Sequence, residues 1–411
     1  MIVFKFGGAS LKNSAAIKNV AAIISSYPER KLVVVSAIGK TTDALEEIAS
    51  LAHANKDFEN ELSQLKALHY AVIQELFEPN DLIFNEVDTL FSAVENAAKS
   101  SGDFDEVYDQ VVSMGEVLSS VILYHVLQKK TNEIKWQDAR NIIATDSVYR
   151  EAKVDWNITK RNIDTALVDG NTIITQGFIG SNTEGKTTTL GREGSDFSAA
   201  IFASCLKAKS VTIWKDVPGV MSADPKKISS ATIFEELPYK EAAEMTYYGA
   251  SIIHPKTIKP LANQLIPLYV KSFTNPELPG TLIHDCHVAQ LPTLVVFKEN
   301  QCLISCKVTD YSFIDEDQLG FIFKTLADHN VKINVMQNSA ISLSFCVDFR
   351  ENKILKLIEN LSLSFEVYYN TGLRLITIKN YDQKVYQEYR NKQGVILEQS
   401  SRSTLQLLVK D

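Results

Sequence analysis

The chain has 411 residues, 45% of them hydrophobic and 22% charged, and a formal net charge of −8. That length suits two or three domains with a sizeable core. The negative balance excludes general attraction to nucleic acid or to an anionic membrane surface, so an anionic ligand must be held by local positive groups.

Residues 2–6 already read as a buried strand, so no signal or transit peptide is expected ahead of the fold. No apolar run stands out as long enough to cross a bilayer. Gly7-Gly8 ends the strand, and a helix is expected next with Ile17, Val20, Ala21 and Ile24 on one face. Lys31-Leu32-Val33-Val34-Val35-Ser36 is a continuous apolar run of the kind found in parallel sheets covered on both sides. It runs into a second glycine loop, Ala37-Ile38-Gly39-Lys40-Thr41-Thr42-Asp43. Strand, glycine loop and helix in that order make an α/β pattern, whose ligands collect at the carboxyl ends of the strands.

Residues 45–130 read as mostly helical, with residues 105–130 as one helix. Gly115 inside that helix costs up to about 1 kcal/mol relative to alanine, so something is expected to approach the backbone there. Glu116 stands beside it, although a glutamate on a helix is usually just solvated. Residues 171–179 and 187–190 read as strands. Between them, Gly180 to Thr187 fits the phosphate-loop pattern GxxxxGK[ST] letter for letter. A true phosphate loop runs directly into a helix, whereas Thr187-Thr188-Thr189-Leu190-Gly191 is β-branched and then breaks, so a hairpin turn is the better reading.

Gly191-Arg192-Glu193-Gly194-Ser195-Asp196 then opens an apolar helix, with Ser195 or Asp196 as its expected cap. A helix start holds anions well, and Arg192 adds a planar fork that clamps a carboxylate or phosphate; an ordinary capped helix is the bland alternative. Residues 209–214 form a strand whose Pro218-Gly219 turn puts Lys215 and Asp216 at its carboxyl end. Helices are expected at residues 238–248 and from His254 onward, with His254 as a cap or packing residue, and residues 266–272 as the last strand of this unit. The five cysteines, Cys205, Cys286, Cys302, Cys306 and Cys346, include no CxxC pair and suit reduced thiols in a cytoplasmic protein.

Near residue 285 the pattern changes. Residues 301–370 read as a complete βαββαβ unit of the ferredoxin-like kind. From residue 373 the pattern restarts and stops short of a last helix and strand, and residues 293–298 are a spare strand expected to complete it.

Taken together these stretches resemble the aspartate kinases, amino-acid kinases with a tandem ACT regulatory tail. The match runs through KFGGAS at 5–10, SAIGKTTD at 36–43, MGE at 114–116, TTLGREGSD at 188–196, WKDVPGV at 214–220, ADP at 223–225 and YGASIIHP at 248–255. The order and spacing of these motifs make coincidence an unattractive explanation. The resemblance implies a three-layer α/β kinase domain with a mainly parallel central sheet at residues 1–285, and tandem ferredoxin-like ACT domains at 286–411. The first ACT domain would take residues 301–370, and the second residues 293–298 plus 373–411.

The implied reaction moves a phosphoryl group from ATP, with Mg²⁺, to the side-chain carboxylate of L-aspartate, the first step toward lysine, threonine and methionine. By the same resemblance Lys5 lies against the transferring group and Asp196 organises the centre. Thr42, Glu116 and Arg192 bind aspartate, Glu116 through its ammonium and Arg192 through its α-carboxylate. Lys5, Gly7, Gly8, Lys215, Asp216, Met221, Lys226 and Ser251 fall where the family holds ATP. Asp310, Asn338, Ser339 and Ile341 fall at the expected effector loop, with lysine favoured as effector, threonine second, and a homodimer or homotetramer joined through the ACT domains. The sequence departs from the family at Ala9, Glu193, Lys215, Met221, Lys226 and Ser251, mostly among the nucleotide contacts.

The chemistry suits these residue types. The acceptor carboxylate, with a reference pKa of about 3.9, is ionised at neutral pH and needs no general base. What remains is repulsion between two anions, which a lysine, backbone amides and Mg²⁺ offset. A kinase acting on glutamate or acetylglutamate, and an amino-acid sensor with a decayed kinase domain, stay open as alternatives. With the sequence ending at Asp411, a fused homoserine dehydrogenase is not expected.

Overall fold

Strand β1 (Ile2–Phe6) runs parallel to β2 (Lys31–Val35), and α1 (Ser14–Ser26) crosses between them. The computed structural model describes every residue except 132, 168–169, 251–252, 311 and 411. The chain divides into two units, one of Met1–Val220, Ile233–Ala243 and Ser251–Val288, the other of Met221–Thr232, Glu244–Ala250 and Ala289–Asp411.

In the first unit α1 buries Ile17, Val20, Ala21 and Ile24, as their spacing requires, and Asn13 caps it by accepting the Ala16 N–H at 2.9 Å. Every residue of β2 is buried. There follow α2 (Thr41–His53), α3 (Glu59–Gln74), α4 (Ile83–Ala98), α5 (Phe104–Val112) and α6 (Met114–Gln128). The single helix expected over residues 105–130 is thus two, parted at Ser113. By length and composition Phe104–Gln128 could span a bilayer, against the sequence reading that no such run exists, but 83% of its most apolar window is buried in the core. A Cβ on Gly115 would lie 3.0–3.2 Å from Ala37, Thr41 and Leu45, so the close approach anticipated there is the start of α2.

The rest of the unit comprises β3 (Ile134–Trp136), α7 (Trp156–Ala166), β4 (Thr172–Gln176), β5 (Ile179–Ser181), β6 (Thr187–Thr189), α8 (Gly194–Leu206), β7 (Val211–Lys215), β8 (Glu236–Pro238), α9 (Tyr239–Tyr247, which continues past the unit's end at Ala243), α10 (Pro255–Asn263), β9 (Leu268–Ser272) and β10 (Thr281–His284). The strand expected over residues 171–179 ends at Gln176, and Phe178, at φ +70°, turns the chain before β5; Gly177 leaves room for Ser195, whose Cβ would lie 2.5 Å from one built there. β5 and β6 pair antiparallel around residues 182–186, so the phosphate-loop lookalike is a hairpin turn.

The central sheet has the order β3-β4-β2-β1-β7-β9-β10-β8. All its pairings are parallel except β9 with β10. Residues 266–272 are therefore not the unit's last strand: β10 turns back beside β9 and carries β8 on its far edge. Under β1, Phe6 stacks on Trp214 with ring centroids 5.8 Å apart. His254 caps α10 by accepting the Lys256 N–H, the role its place before proline suggested.

The second unit holds a six-stranded antiparallel sheet. Its elements are β11 (Leu294–Lys307), α11 (Glu316–Asp328), β12 (Ile333–Asn338), β13 (Ser342–Asp348), α12 (Glu351–Leu361), β14 (Glu366–Lys379), α13 (Gln383–Arg390), β15 (Val395–Ser400) and β16 (Thr404–Lys410), and the sheet order is β12-β13-β11-β14-β16-β15. The spare strand is the leading half of β11, continuous with residues 301–307 through a bulge at Asn300, whose φ is +53°. Leu294 to Lys298 pair with Leu375 to Lys379, and Gln301 to Lys307 pair with β13. Four short strands in the sequence reading are thus two long ones serving both halves. One half buries Ile304, Phe345 and Leu357, the other Ile376, Leu407 and Val409. Asp315 and Gln318 form a reciprocal capping box at α11.

Candidate active site

At the carboxyl ends of β1, β2 and β7 the first unit opens a cavity of about 720 Å³. Lys5, Thr42, Glu116, Arg192, Asp196 and Lys215 all line it. The topology explains the convergence: Lys5 and Lys215 sit on neighbouring strands, Thr42 opens α2, Glu116 lies in the first turn of α6, and Asp196 in the first turn of α8.

Lys5 Nζ lies 2.7 Å from Asp196 Oδ1, and Lys215 Nζ lies 3.7 Å from Oδ2, with the carboxylate only 3% exposed. Burial by itself would raise the Asp196 carboxyl, but the two lysine charges outweigh it and hold the group below the usual carboxylate range. Asp196 is thus ionised and committed to cations. It does not cap α8, contrary to the expectation for it or Ser195. The capping position is Glu193, in a left-handed conformation with φ +53° and with no side-chain bond to the helix. Gly191, at φ +74°, and Glu193 bend the loop on either side of Arg192. The Arg192 side chain is exposed in the cavity and makes no ion pair among the described residues.

Glu116 is the opposite case. It is 3% exposed. Its Oε1 accepts the Ala37 N–H at 3.3 Å, and its Oε2 is buried with no partner. Burial pushes its carboxyl up to about 8, and the Ala37 N–H and the Lys5 charge only partly oppose this. A carboxylate oxygen without a donor, at the wall of a polar cavity, fits a cationic ligand group. The solvated-helix reading of Glu116 is therefore wrong.

Gly8 must be glycine, since a Cβ would come within 2.7 Å of the Ala37 carbonyl and 2.9 Å of that of Gly39. A Cβ on Gly7 would stand 3.4 Å from Lys5 Nζ. Asp216 is exposed just past β7. Met221 and Lys226 belong to the second unit, Met221 half-buried and Lys226 exposed. Ser251 lies outside the described residues.

In the second unit, Asp310, Asn338, Ser339 and Ile341 are exposed around one loop pair. The Val308 N–H donates to the Ile341 carbonyl at 3.0 Å and the Ile314 N–H to that of Ala340 at 2.9 Å. Val308 and Ile314, on either side of Asp310, are thus both bonded to the turn at residues 340–341. Asp310 accepts from Ser312, which holds its carboxyl low.

Sequence reasoning missed a supporting cluster. Buried Asp109 accepts from the Thr189 N–H and hydroxyl, both at 2.8 Å, and from the Arg150 N–H at 3.0 Å. The Arg150 guanidinium lies 4.2 Å from the Tyr108 ring centroid, and the Tyr108 hydroxyl donates to Glu46. Tyr108, Arg150, Glu46 and Thr189 all line the cavity. Thr189, next to the GREGSD segment, was the one available signal.

Residues 1–272 match the model of the amino acid kinase family. Lysine-sensitive aspartokinase 3 of Escherichia coli is 32% identical over 360 residues, 85% of this chain and 78% of that protein. The chloroplastic bifunctional aspartokinase/homoserine dehydrogenase 2 of Arabidopsis thaliana is 34% identical over 90% of this chain, which spans only 42% of that protein. Among solved structures, E. coli aspartokinase III in complex with aspartate and ADP (R-state) superposes with a TM-score of 0.87 at 29% identity, covering 100% of this chain and 96% of that one. The same enzyme in complex with lysine and aspartate (T-state) gives 0.83 at 28% identity, with the same coverage. The sheet order, the cavity at its carboxyl edge and these likenesses agree: the chain belongs to the amino acid kinase family and, within it, to the aspartokinases.

Proposed function

We propose that this kinase transfers the γ-phosphoryl group of ATP to the side-chain carboxylate of L-aspartate, giving 4-phospho-L-aspartate. One observation carries the proposal: the partnerless Glu116 Oε2 and the unpaired Arg192 line the same cavity as the Lys5–Asp196 pair. An α-amino acid needs a cation-binding and an anion-binding group at one end, with its reactive group aimed away from them. Glu116 takes the ammonium, Arg192 the α-carboxylate and Thr42 supports the same end. The side-chain carboxylate then points toward Lys5.

Lys5 and Lys215 gather negative charge, and Asp196 holds both in place. As the phosphoryl group moves from one anion to the other, Lys5 follows the developing charge, and no proton has to leave the nucleophile. ATP enters as its Mg²⁺ complex. Asp196 is already matched by two lysines, so it suits a metal held mainly by phosphate oxygens and water rather than by a protein cage. Gly7, Gly8 and Asp216 complete the first unit's nucleotide contacts in this reading. The tail binds lysine at the loops around Asp310, Asn338, Ser339 and Ile341, inhibits the kinase, and joins at least two subunits. E. coli aspartokinase III bound to lysine and aspartate supports the choice of effector. A hydroxamate assay with ATP and either aspartate or glutamate tests the reaction. Hydroxamate from aspartate alone supports the proposal, whereas a preference for glutamate or no product with either defeats it.

A further inference from the structure

We propose that Glu236, His284 and Cys286 form a binding site for one divalent transition-metal ion of the zinc class. The three donors come from the sheet edge opposite β3, where β8 runs parallel to β10. Their register pairs Leu282 with Glu236 and His284 with Pro238. Burial alternates along both strands, Leu237 and Ile283 inward, Glu236, Leu282 and His284 outward. A strand repeats its face every second residue, so His284 stands on the side of β10 that Glu236 occupies on β8, and Cys286 follows two residues past the strand end, where its thiol lies within reach of both. The outcome is one imidazole nitrogen, one thiol sulfur and one carboxylate oxygen, all within 4.8 Å of one another. His284 Nε2 already contacts Glu236 Oε1, a contact that a cation would replace.

The donor set selects the ion. Mg²⁺ and Ca²⁺ favour all-oxygen shells, whereas one S, one N and one O suit a borderline ion in four-coordination with water in the fourth place. Charge agrees as well, because a thiolate, a carboxylate and a neutral imidazole sum to minus two. Burial and the nearby Glu236 and Asp285 carboxylates raise the Cys286 thiol. Loading the ion therefore exchanges one sulfur-bound proton for one metal–sulfur bond and releases that proton to solvent. None of the three residues lines the cavity with Lys5, so the ion would sit apart from the candidate active site. It ties the β8 edge to the chain just after β10, close to the first unit's last residue, Val288. Cys286 is also the one cysteine that is not buried.

The full-length chain, freed of metal with a chelator, is titrated with Co²⁺ and then Zn²⁺. The expected result is one Co²⁺ per chain with a thiolate-to-cobalt charge-transfer band that Zn²⁺ abolishes. Zn²⁺ and not Mg²⁺ should shield the one thiol that is not buried from a disulfide reagent. Cys286→Ser should remove the band, His284→Gln and Glu236→Gln should each weaken Co²⁺ binding at least about tenfold, and Cys205→Ser should change nothing. Absence of the band, its persistence in Cys286→Ser, or unchanged affinity in both other variants overturns the proposal.

Discussion

Replacing Glu116 with glutamine keeps the side chain's shape and its acceptor toward Ala37 but removes the charge that would receive a substrate ammonium. A bond from a buried carboxylate to an ammonium contributes about 3 kcal/mol. Glu116 titrates at about 8 in the free protein. At pH 7 it must first lose its proton, which costs about 1.4 kcal/mol. The net gain over glutamine is then about 1.6 kcal/mol, or roughly 15-fold in affinity for aspartate. At pH 9 the ionisation cost is gone and the ratio reaches roughly 150-fold. The sign follows from the raised value: the carboxyl is protonated below about 8 and ionised above it, so binding strengthens as pH rises through that value. Comparing the variant with the parent cancels every other titrating group.

The assay is calorimetric titration of aspartate without nucleotide, between pH 6 and 9, in two buffers of different ionisation heat. Near pH 7 the parent should release about 0.9 proton per aspartate bound, and Glu116→Gln none. In the ligand-free protein the same linkage works in reverse. The folded state holds a proton that the unfolded chain gives up at an ordinary glutamate pKa, so stability falls as pH rises from about 4.5 to about 8. Glu116→Gln should therefore raise the melting temperature at pH 9 and leave it nearly unchanged at pH 5. A parent-to-variant affinity ratio that stays flat across pH would refute the reasoning.

Lys5→Ala should lower kcat by about 10²–10³ while the KM for ATP changes little, because its contact matters most as charge moves; steady-state kinetics with near-parental kcat would remove that role. Gly115→Ala should destabilise the chain by about 1–2 kcal/mol despite better helix propensity, since the new methyl meets Ala37 and the start of α2, and thermal unfolding would show a drop of about 1–3 °C. Asp109→Asn should lower both stability and aspartate affinity, since an amide cannot accept all three bonds that Thr189 and Arg150 donate; an unshifted melting curve with parental KM would contradict this. Excess lysine should inhibit the parent and inhibit Ser339→Ala less; aspartate-dependent activity indifferent to both lysine and threonine would dispose of the tail's proposed role.

How far these features could be read in the sequence follows from how local their causes are. β1 and the two glycine loops are set by neighbours in the chain, and the apolar runs and the glycines announce them; a helix near residue 195 is legible in the same way, but its capping position falls at Glu193 and not at the Ser-Asp pair. Other features depend on pieces far apart. Gly177 has to be glycine because Ser195, eighteen positions later, packs where its Cβ would stand. The break at Ser113 accompanies Gly115 docking against α2. Asp109 meets Thr189 eighty positions later, and no residue near Asp109 hints at that partner. The tail shows both sides: its strand and helix spacing is legible, but a single positive-φ residue, Asn300, lets two predicted strands run on as one.

The cavity's two buried carboxylates are also driven apart by one shared neighbour. Asp196 is held low because Lys5 stands 2.7 Å away and Lys215 adds a second charge. That attachment leaves Lys5 only a weak, longer-range effect on Glu116, whose single bond to Ala37 does not offset its burial. The free site therefore carries an ionised carboxylate at the lysine end and a protonated one beside the start of α2. Charge is already balanced where phosphate would arrive, and it becomes available at Glu116 only when a cation comes to use it. A neutral or purely anionic ligand of the same size gains nothing from ionising Glu116. An α-ammonium does, and under the proposed function discrimination for amino acids at this wall would come from the cost of leaving Oε2 alone.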